Sequence, residues 1–180
     1  MNICKKLLSL AGWKVEVTVP DYPKMIYCVA PHTSNWDFPL CELAIRSVGR
    51  TAGFLMKASW FFFPLGSLFR ALGGIPVERK NKRQSLTEYI VDKFRSEPRL
   101  KLAITPEGTR KGTRDWHTGF LRIAREAGVP ICLAAIDYPS KTISATELFE
   151  PTGDMEADML AVKKFYSAFT GKFADQCLTD

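Results

Sequence analysis

Short apolar segments alternate along this chain with segments in which apolar residues recur at helical spacing, a pattern typical of an α/β domain. The apolar segments are short enough to be buried strands. The predicted strands are Met25–Ala30, Phe54–Met56, Ile75–Val77, Leu100–Thr105 and Ile131–Ile136. The predicted helices are Ser34–Val48, Ser85–Arg95, Gly119–Ala127 and Glu156–Phe169, and Ser59–Leu72 forms an apolar helix or a hairpin.

Local signals mark several ends of these elements. Ser85 and Glu88 have the spacing of a capping box, and Gly128 is a C-terminal helix stop. Pro76 lacks an N–H, which favours an edge or strand-end position. The pattern predicts an α/β fold with a mixed, mostly parallel sheet flanked by helices. We expect a single domain over residues 1–180, with a motif-bearing core at about residues 24–137.

The composition is that of a globular protein with an excess of positive charge. The 180 residues are 46% hydrophobic and 24% charged, which excludes a disordered or collagen-like chain. The net charge of +6 indicates an anionic partner: nucleic acid, an anionic membrane or a phosphorylated substrate. The basic residues do not form a nucleic-acid-binding motif with exposed aromatics, so we expect no nucleic-acid partner.

No segment predicts a membrane-spanning helix or a signal peptide. The longest strongly apolar stretch, Ala58–Phe69, contains Pro64 and is shorter than the roughly 20 residues that a spanning helix needs. Lys5 and Lys6 precede an apolar run, Leu7–Ala11, that is shorter than a signal-peptide core of about 7–15 residues. We therefore expect a cytoplasmic protein.

The cysteines and histidines do not predict a metal site. The five cysteines are scattered without a CxxC pair, and we expect them to be reduced thiols. Neither His32 nor His117 lies at ligand spacing from a cysteine. No metal and no bound cofactor are predicted.

The first segment with candidate chemistry is residues 31–37, PHTSNWD, directly after a predicted strand. His32 can act as a base near neutral pH if Asp37 binds one ring nitrogen and leaves the other free. Five residues on one helix are about 140° out of phase, so the two side chains meet only if His32 precedes the helix and Asp37 lies in its first turn. Alternatively, Ser34 and Asp37 form a capping pattern and His32 is a loop residue without a catalytic role.

Two further segments place charged groups after predicted strands. In residues 105–110, TPEGTR, Arg110 offers a bidentate donor and Gly108 lets a ligand approach the backbone. The alternative is a structural turn with a solvated pair, Glu107 and Arg110. In residues 73–79, GGIPVER, the strand ends at an acid followed by Arg79, and a basic run follows. The alternative is that this basic run is a solvated loop. Together the three strand ends predict one site with a base and an anion clamp.

An aromatic stretch, Trp60–Leu65, follows Lys57 and is too aromatic for routine exposure. It lines an acyl tunnel or contacts a bilayer interface, unless it packs in an ordinary core. Near the N-terminus, apolar residues alternate with Lys5 and Lys6 and weakly indicate a short interfacial helix.

These blocks, in this order, resemble the lysophospholipid acyltransferase family, typified by 1-acylglycerol-3-phosphate acyltransferases. The family carries a His, four residues and an Asp, here His32 to Asp37, then a Gly-rich strand ending in acid–Arg, here Gly74 to Arg79. Its Pro-Glu-Gly-Thr-Arg block is unbroken from Pro106 to Arg110, and a later Val-Pro before an apolar strand matches Val129-Pro130. The resemblance spans roughly residues 24–137.

The resemblance implies that His32 deprotonates an acceptor hydroxyl, Asp37 orients the ring, and the alkoxide attacks an acyl thioester directly. It implies acyl-CoA or acyl-carrier protein as donor, a phosphorylated lipid acceptor, and peripheral contact with an anionic membrane at its inner face. The predicted catalytic residues are His32 and Asp37. The predicted substrate-binding residues are Lys57, Arg79, Glu107, Gly108, Thr109 and Arg110.

Some residues depart from the family pattern, and other functions remain alternatives. Pro31 stands where Asn is common, Thr105 where Phe is common, and Lys111 where Ser is common, so the acceptor need not be lysophosphatidate. A thioesterase that uses the same His–Asp pair is the nearest alternative, although no G-x-S-x-G elbow is present. A non-catalytic lipid-binding relative is the other.

Overall fold

The computed structural model describes residues 2–77 and 85–179. Arg79, one of the predicted substrate-binding residues, lies outside these described residues. The strands are β1 (Lys14–Val17), β2 (Lys24–Ala30), β3 (Gly53–Lys57), β4 (Gly74–Val77), β5 (Leu100–Ile104), β6 (Ile131–Asp137) and β7 (Thr142–Phe149). The helices are α1 (Ile3–Leu10), α2 (Asp37–Ser47), α3 (Leu65–Ala71), α4 (Leu86–Ser96), α5 (Gly119–Ala127) and α6 (Met155–Tyr166).

Within the described residues, the strands form one seven-stranded sheet in the order β1-β7-β6-β2-β5-β3-β4. The neighbouring strands pair in parallel, except for β6 and β7, which are antiparallel. This confirms the predicted α/β class with a mixed, mostly parallel sheet. β4 lies at one edge, where Pro76 needs no ladder partner for its nitrogen.

The central strand β2 is apolar along its length because both of its faces are covered. Ile26, Cys28 and Ala30 face a core formed with α4, α5 and α6. The alternate residues Met25 and Tyr27, with Val29, face a second core that contains Leu8 of α1 and Ala44 of α2. The two helical layers hold β2 at the centre of the molecule and fix the place where it ends.

Most predicted elements are present, with some shifted ends. α2 begins at Asp37 rather than Ser34 because residues 33 and 34 donate their N–H groups to the Asp37 carboxylate. α4 begins with the predicted capping box, in which Ser85 and Glu88 exchange hydrogen bonds. Gly128 ends α5 with a left-handed backbone, φ 64°. The final helix ends at Tyr166, before the predicted Phe169.

The aromatic stretch does not form one continuous element. Ala58–Trp60 is a single 3₁₀ turn, and the helix α3 begins only after Pro64. In the part of the chain that the structure describes, no helix combines the length and apolar character needed to pass through a bilayer.

Candidate active site

The ends of four parallel strands meet at one edge of the sheet, here called the C-terminal edge. β2 and β5 are neighbours, β6 flanks β2, and β3 flanks β5, so the segments that follow all four strands converge there. His32 follows β2, Lys57 ends β3, Glu107 follows β5 and Tyr138 follows β6.

His32 and Asp37 form a hydrogen-bonded pair at this edge. The His32 Nδ1–H donates to Oδ2 of Asp37 across 3.1 Å. The Asp37 side chain is 2% exposed and that of His32 is 17% exposed. His32 precedes α2 and Asp37 is its first residue, which is the geometry that the five-residue spacing requires. With Nδ1 occupied, the second ring nitrogen, Nε2, remains to accept a proton.

Asp37 is held by the loop that carries His32. Its Oδ2 accepts the N–H groups of Thr33 at 2.9 Å and Ser34 at 2.8 Å, and its Oδ1 accepts the Tyr138 hydroxyl at 2.6 Å. Burial acts to raise the pKa of Asp37, but the hydrogen bonds from His32, Tyr138 and Ser34 outweigh it and hold the pKa below its ordinary value. The carboxylate is therefore ionised at neutral pH, and it both shapes the loop and binds the imidazole.

Glu107 supports His32 through the main chain. Its Oε1 accepts the His32 N–H at 2.7 Å, and the residue is 4% exposed. Burial raises the pKa of Glu107 to about 7, against the lowering effect of the His32 N–H bond. This predicted substrate-binding residue is thus buried behind the loop, and it does not line the cavity described next.

A cavity of about 520 Å³ opens beside the His–Asp pair. Its polar wall includes His32, Lys57, Gly108 and Arg110, so the structure brings these predicted residues together. Its apolar wall is formed by Val29, Phe38, Phe54, Leu55, Met56, Val77 and Ile104. Thr109 lies next to this wall but does not line it. The cavity thus combines a base, two cationic side chains and an apolar surface.

Gly108 is required by the shape of its turn. Its φ is +64°, and a Cβ at this position would lie 2.6 Å from the ring of His117. The Gly108 N–H donates to the Thr105 carbonyl oxygen at 3.2 Å. This N–H is thus engaged within the turn, which makes it a poor donor to a developing oxyanion.

A smaller apolar cavity of about 60 Å³ lies under α2 on the sheet. It shares Val29, Cys41 and Ala103 with the larger cavity. Its other walls are rich in small side chains, including Ala44, Ala52, Ala134 and Ala145. The two cavities therefore adjoin each other at these three residues.

The model of the family described as Acyltransferase matches residues 15–137. The chain belongs to the Acyltransferase family. The matched region includes the His–Asp pair, the cavity and the Pro-Glu-Gly-Thr-Arg turn. The predicted resemblance is thus confirmed, and the protein is an acyltransferase.

The fold of this acyltransferase is similar to a solved structure. That structure is the crystal structure of the 1-acyl-sn-glycerophosphate (LPA) acyltransferase PlsC from Thermotoga maritima, with a TM-score of 0.63 and 20% sequence identity. The match covers 92% of this chain and 76% of that chain. At this identity the likeness establishes the fold. No curated protein matches the sequence.

Sequence reasoning missed two parts of this acyltransferase site. Tyr138 was not predicted, although it directly follows a strand that ends at the same edge. The C-terminal segment was also missed: the Phe173 N–H donates to Oγ1 of Thr33 at 3.3 Å, and Gly171 packs so closely on Thr33 that a Cβ would lie 2.6 Å from that oxygen. Among the residues described, no three His, Cys, Asp or Glu side chains lie close enough together to hold a metal ion.

Proposed function

We propose that this acyltransferase moves an acyl chain from an acyl thioester, either acyl-CoA or acyl-carrier protein, to the hydroxyl of a lysophospholipid-type acceptor such as 1-acylglycerol-3-phosphate. The observation that carries the proposal is the His32–Asp37 pair beside a cavity that also contains Lys57 and Arg110. A base for the hydroxyl, cations for a phosphate and an apolar wall for an acyl chain lie in one place. The similar fold of a 1-acyl-sn-glycerophosphate acyltransferase supports this acceptor class.

The proposed reaction begins at Nε2 of His32, the ring nitrogen that does not bind Asp37. His32 Nε2 removes the proton of the acceptor hydroxyl as its oxygen attacks the thioester carbonyl carbon, and Asp37 stabilises the resulting imidazolium. The tetrahedral intermediate expels the thiolate, and the imidazolium returns the proton to the sulfur. The products are the acylated acceptor and the free thiol, and His32 is regenerated. Holding both substrates beside one base supplies much of the acceleration.

Direct transfer is favoured over an acyl-enzyme because the nearby cysteines are poor nucleophiles. Cys41 lines the cavity, but burial raises its pKa to about 12, and the carboxylates of Asp37 and Glu42 act in the same direction. Burial likewise raises the pKa of Cys28 to about 12. Both remain thiols at neutral pH, and a thiol is far less nucleophilic than a thiolate.

Lys57 and Arg110 are suited to bind the acceptor phosphate, since both line the cavity that contains His32. Arg110 supplies a planar fork for two phosphate oxygens, and Lys57 supplies a point charge from the end of the neighbouring strand β3. Arg79 is a further candidate from sequence. Thr109 and Glu107 shape the turn that presents Arg110.

The acyl chain of the donor fits the apolar part of the site. The wall of Phe38, Phe54 and Met56 lies in the same cavity as the base, and the smaller cavity under α2 adjoins it at Val29 and Ala103. A chain placed against this wall excludes water from the thioester carbonyl. The small cavity then limits how long a chain the site accepts.

Peripheral contact with an anionic membrane, at its inner face, is part of the proposal. Trp60, Phe62 and Phe63, here called the aromatic segment, are 52%, 54% and 89% exposed. The segment begins three residues after Lys57, which lines the cavity, so a lipid acceptor held at the interface lies near the base. Exposed aromatic rings beside cationic side chains are typical of contact with an anionic lipid interface.

The proposal is tested by release of the donor thiol from acyl-CoA with and without a panel of lysophospholipids, with products identified by mass spectrometry. We expect thiol release that depends on acceptor, and a loss of about 100-fold to 10,000-fold in His32→Ala without loss of fold. Equal thiol release without acceptor indicates a thioesterase instead. Lipid binding with no turnover for any donor indicates a non-catalytic relative.

A further inference from the structure

Tyr138 reaches the His–Asp pair from a strand that carries none of the predicted motifs. β6 ends at Asp137, and the hydroxyl of the next residue donates to Oδ1 of Asp37 at 2.6 Å. β6 lies beside β2, so the two residues meet at the C-terminal edge although 101 positions separate them.

The donors to Asp37 are divided between its two oxygens. The His32 ring and the N–H groups of Thr33 and Ser34 all donate to Oδ2. Tyr138 donates to Oδ1. The terminal torsion of an aspartate is broad, so donors on one oxygen alone leave the carboxylate plane poorly defined. A donor on the second oxygen fixes that plane.

Tyr138 is itself held in place. Its ring makes an edge-to-face contact with Trp13, with centroids 5.1 Å apart and planes at 88°. Its backbone N–H donates to the Thr170 carbonyl oxygen at 2.9 Å. Burial and the Asp37 carboxylate both raise the pKa of Tyr138, so the hydroxyl keeps the proton that it donates.

The titratable groups that face Asp37 come from different elements. His32 follows β2, Glu107 follows β5, Cys41 lies on α2 and Tyr138 follows β6. Cys177 lies in the C-terminal segment after α6, and burial raises the pKa of its thiol. Glu107 binds the backbone of His32, and Cys41 carries no charge. Tyr138 therefore supplies the hydroxyl that contacts the carboxylate directly.

We propose that Tyr138 is a positioning residue for acyl transfer: its hydroxyl holds the Asp37 carboxylate in the plane that keeps the proton of His32 on Nδ1 and leaves Nε2 free for the acceptor. This inference rests on the proposed function, in which His32 is the base. Tyr138 acts through Asp37 and does not contact the substrate.

The test compares Tyr138→Phe with the native chain in kinetics and in ¹⁵N NMR of the histidines. We expect kcat to fall about 10-fold to 100-fold, the usual effect of losing a partner that orients a reacting group, with an unchanged acceptor KM. The Nδ1–H tautomer of His32 should lose its dominance. Since the chain has two histidines, His117→Asn assigns the signals. The acid limb of the pH–rate profile should move to lower pH, because a carboxylate that leaves this plane stabilises the imidazolium less.

Tyr166→Phe is the matched control. Its hydroxyl is buried and donates to the Cys28 carbonyl oxygen, within the opposite core. This variant should lose stability but keep the native kcat and tautomer. In an Asp37→Asn background, Tyr138→Phe should cause no further loss of kcat, because the carboxylate that it positions is absent.

The outcomes separate the two proposals. Native kcat, pH profile and tautomer in Tyr138→Phe, with an active wild-type enzyme, overturn the positioning role. Equal kinetic loss in Tyr166→Phe also overturns it, since general destabilisation then explains both variants. If wild-type protein transfers no acyl group to any acceptor, the proposed function fails, and the tautomer comparison alone decides the role of Tyr138.

Discussion

Glu107 holds His32 by its backbone: the buried carboxylate accepts the His32 N–H at 2.7 Å. The loop that carries His32 is thus fixed at its main chain by a residue of the neighbouring Pro-Glu-Gly-Thr-Arg turn. This contact places the Glu107 carboxylate in a buried position, where desolvation raises its pKa from 4.5 to about 7. This arrangement makes stability depend on pH.

The folded protein holds the Glu107 proton more tightly than the unfolded chain, so stability must fall as pH rises from about 4.5 to about 7. The shift corresponds to at most roughly 3 kcal/mol. We expect Glu107→Gln, which keeps an acceptor for the His32 N–H, to match wild type at pH 4 and to be the more stable protein at pH 8. Thermal melts across this range measure the difference.

The exposed Glu16 on β1 provides the control. Glu16→Gln should leave the pH dependence of the wild-type melting temperature unchanged. A Glu107→Gln curve parallel to that of wild type from pH 4 to pH 8 would contradict the assignment.

Arg110→Ala and Lys57→Ala are expected to raise the acceptor KM about 10-fold or more with a smaller change in kcat, because each removes a cation that binds the phosphate. Steady-state kinetics with 1-acylglycerol-3-phosphate and with its uncharged monoacylglycerol analogue measure the effect, which should vanish for the analogue. Lys111→Ala is the matched control, since Lys111 is exposed next to Arg110 and does not line the cavity. A loss confined to kcat would instead indicate oxyanion stabilisation or a structural role.

Ala134→Val is expected to shift the preference toward shorter acyl chains, because the added methyl groups enter the cavity of about 60 Å³ under α2. One methylene of misfit is worth about 10-fold to 200-fold in kcat/KM. Acyl-CoA donors of graded length measure this selectivity. The neighbouring Ala135 is also buried but faces the opposite core, so Ala135→Val should lose stability with an unchanged chain-length profile. Identical profiles in the two variants would exclude the cavity as the acyl site.

Replacement of Phe62 and Phe63 by Ser should reduce binding to anionic liposomes by about 10-fold or more, since each exposed ring loses its transfer into the interface. Flotation measures the bound fraction, and circular dichroism verifies the fold. Phe61 is retained because it packs on Phe69 and under Arg70. The comparison variant carries Ser at Ile3 and Leu10, the two most exposed apolar positions of α1. Loss of flotation in that variant alone would indicate that α1, and not Phe62 and Phe63, contacts the membrane.

The fold could be predicted wherever burial on both faces leaves an uninterrupted apolar run. β2 and β6 are such strands, and the end of β2 then located the segment that carries His32. β1 and β7 were missed because they lie toward one side of the sheet, and only part of their residues is buried. Their mixed sequences, KVEV and TISATELF, lack the continuous apolar character used to find the others.

The candidate site was predictable within each local segment but not across segments. The five-residue spacing constrained how His32 and Asp37 meet, whereas no local signal pairs Asp37 with Tyr138 or Thr33 with Phe173. Those contacts depend on the strand order, which places β6 beside β2, and on the path of the chain after α6. The sequence also did not indicate whether Glu107 binds a ligand or a backbone group. In the structure its carboxylate accepts the His32 N–H.

The central position of β2 in the sheet affects the order in which the protein folds. Its pairing partners are β5 on one side and β6 on the other. The residues that pair with Ile26, Leu102 and Ile131, are therefore far from it in the sequence. Such distant pairings slow the search for the native topology. A nascent chain released from the ribosome only as far as α4 has no neighbour for its central strand. The His–Asp pair therefore takes shape late in folding, after the second half of the polypeptide has emerged.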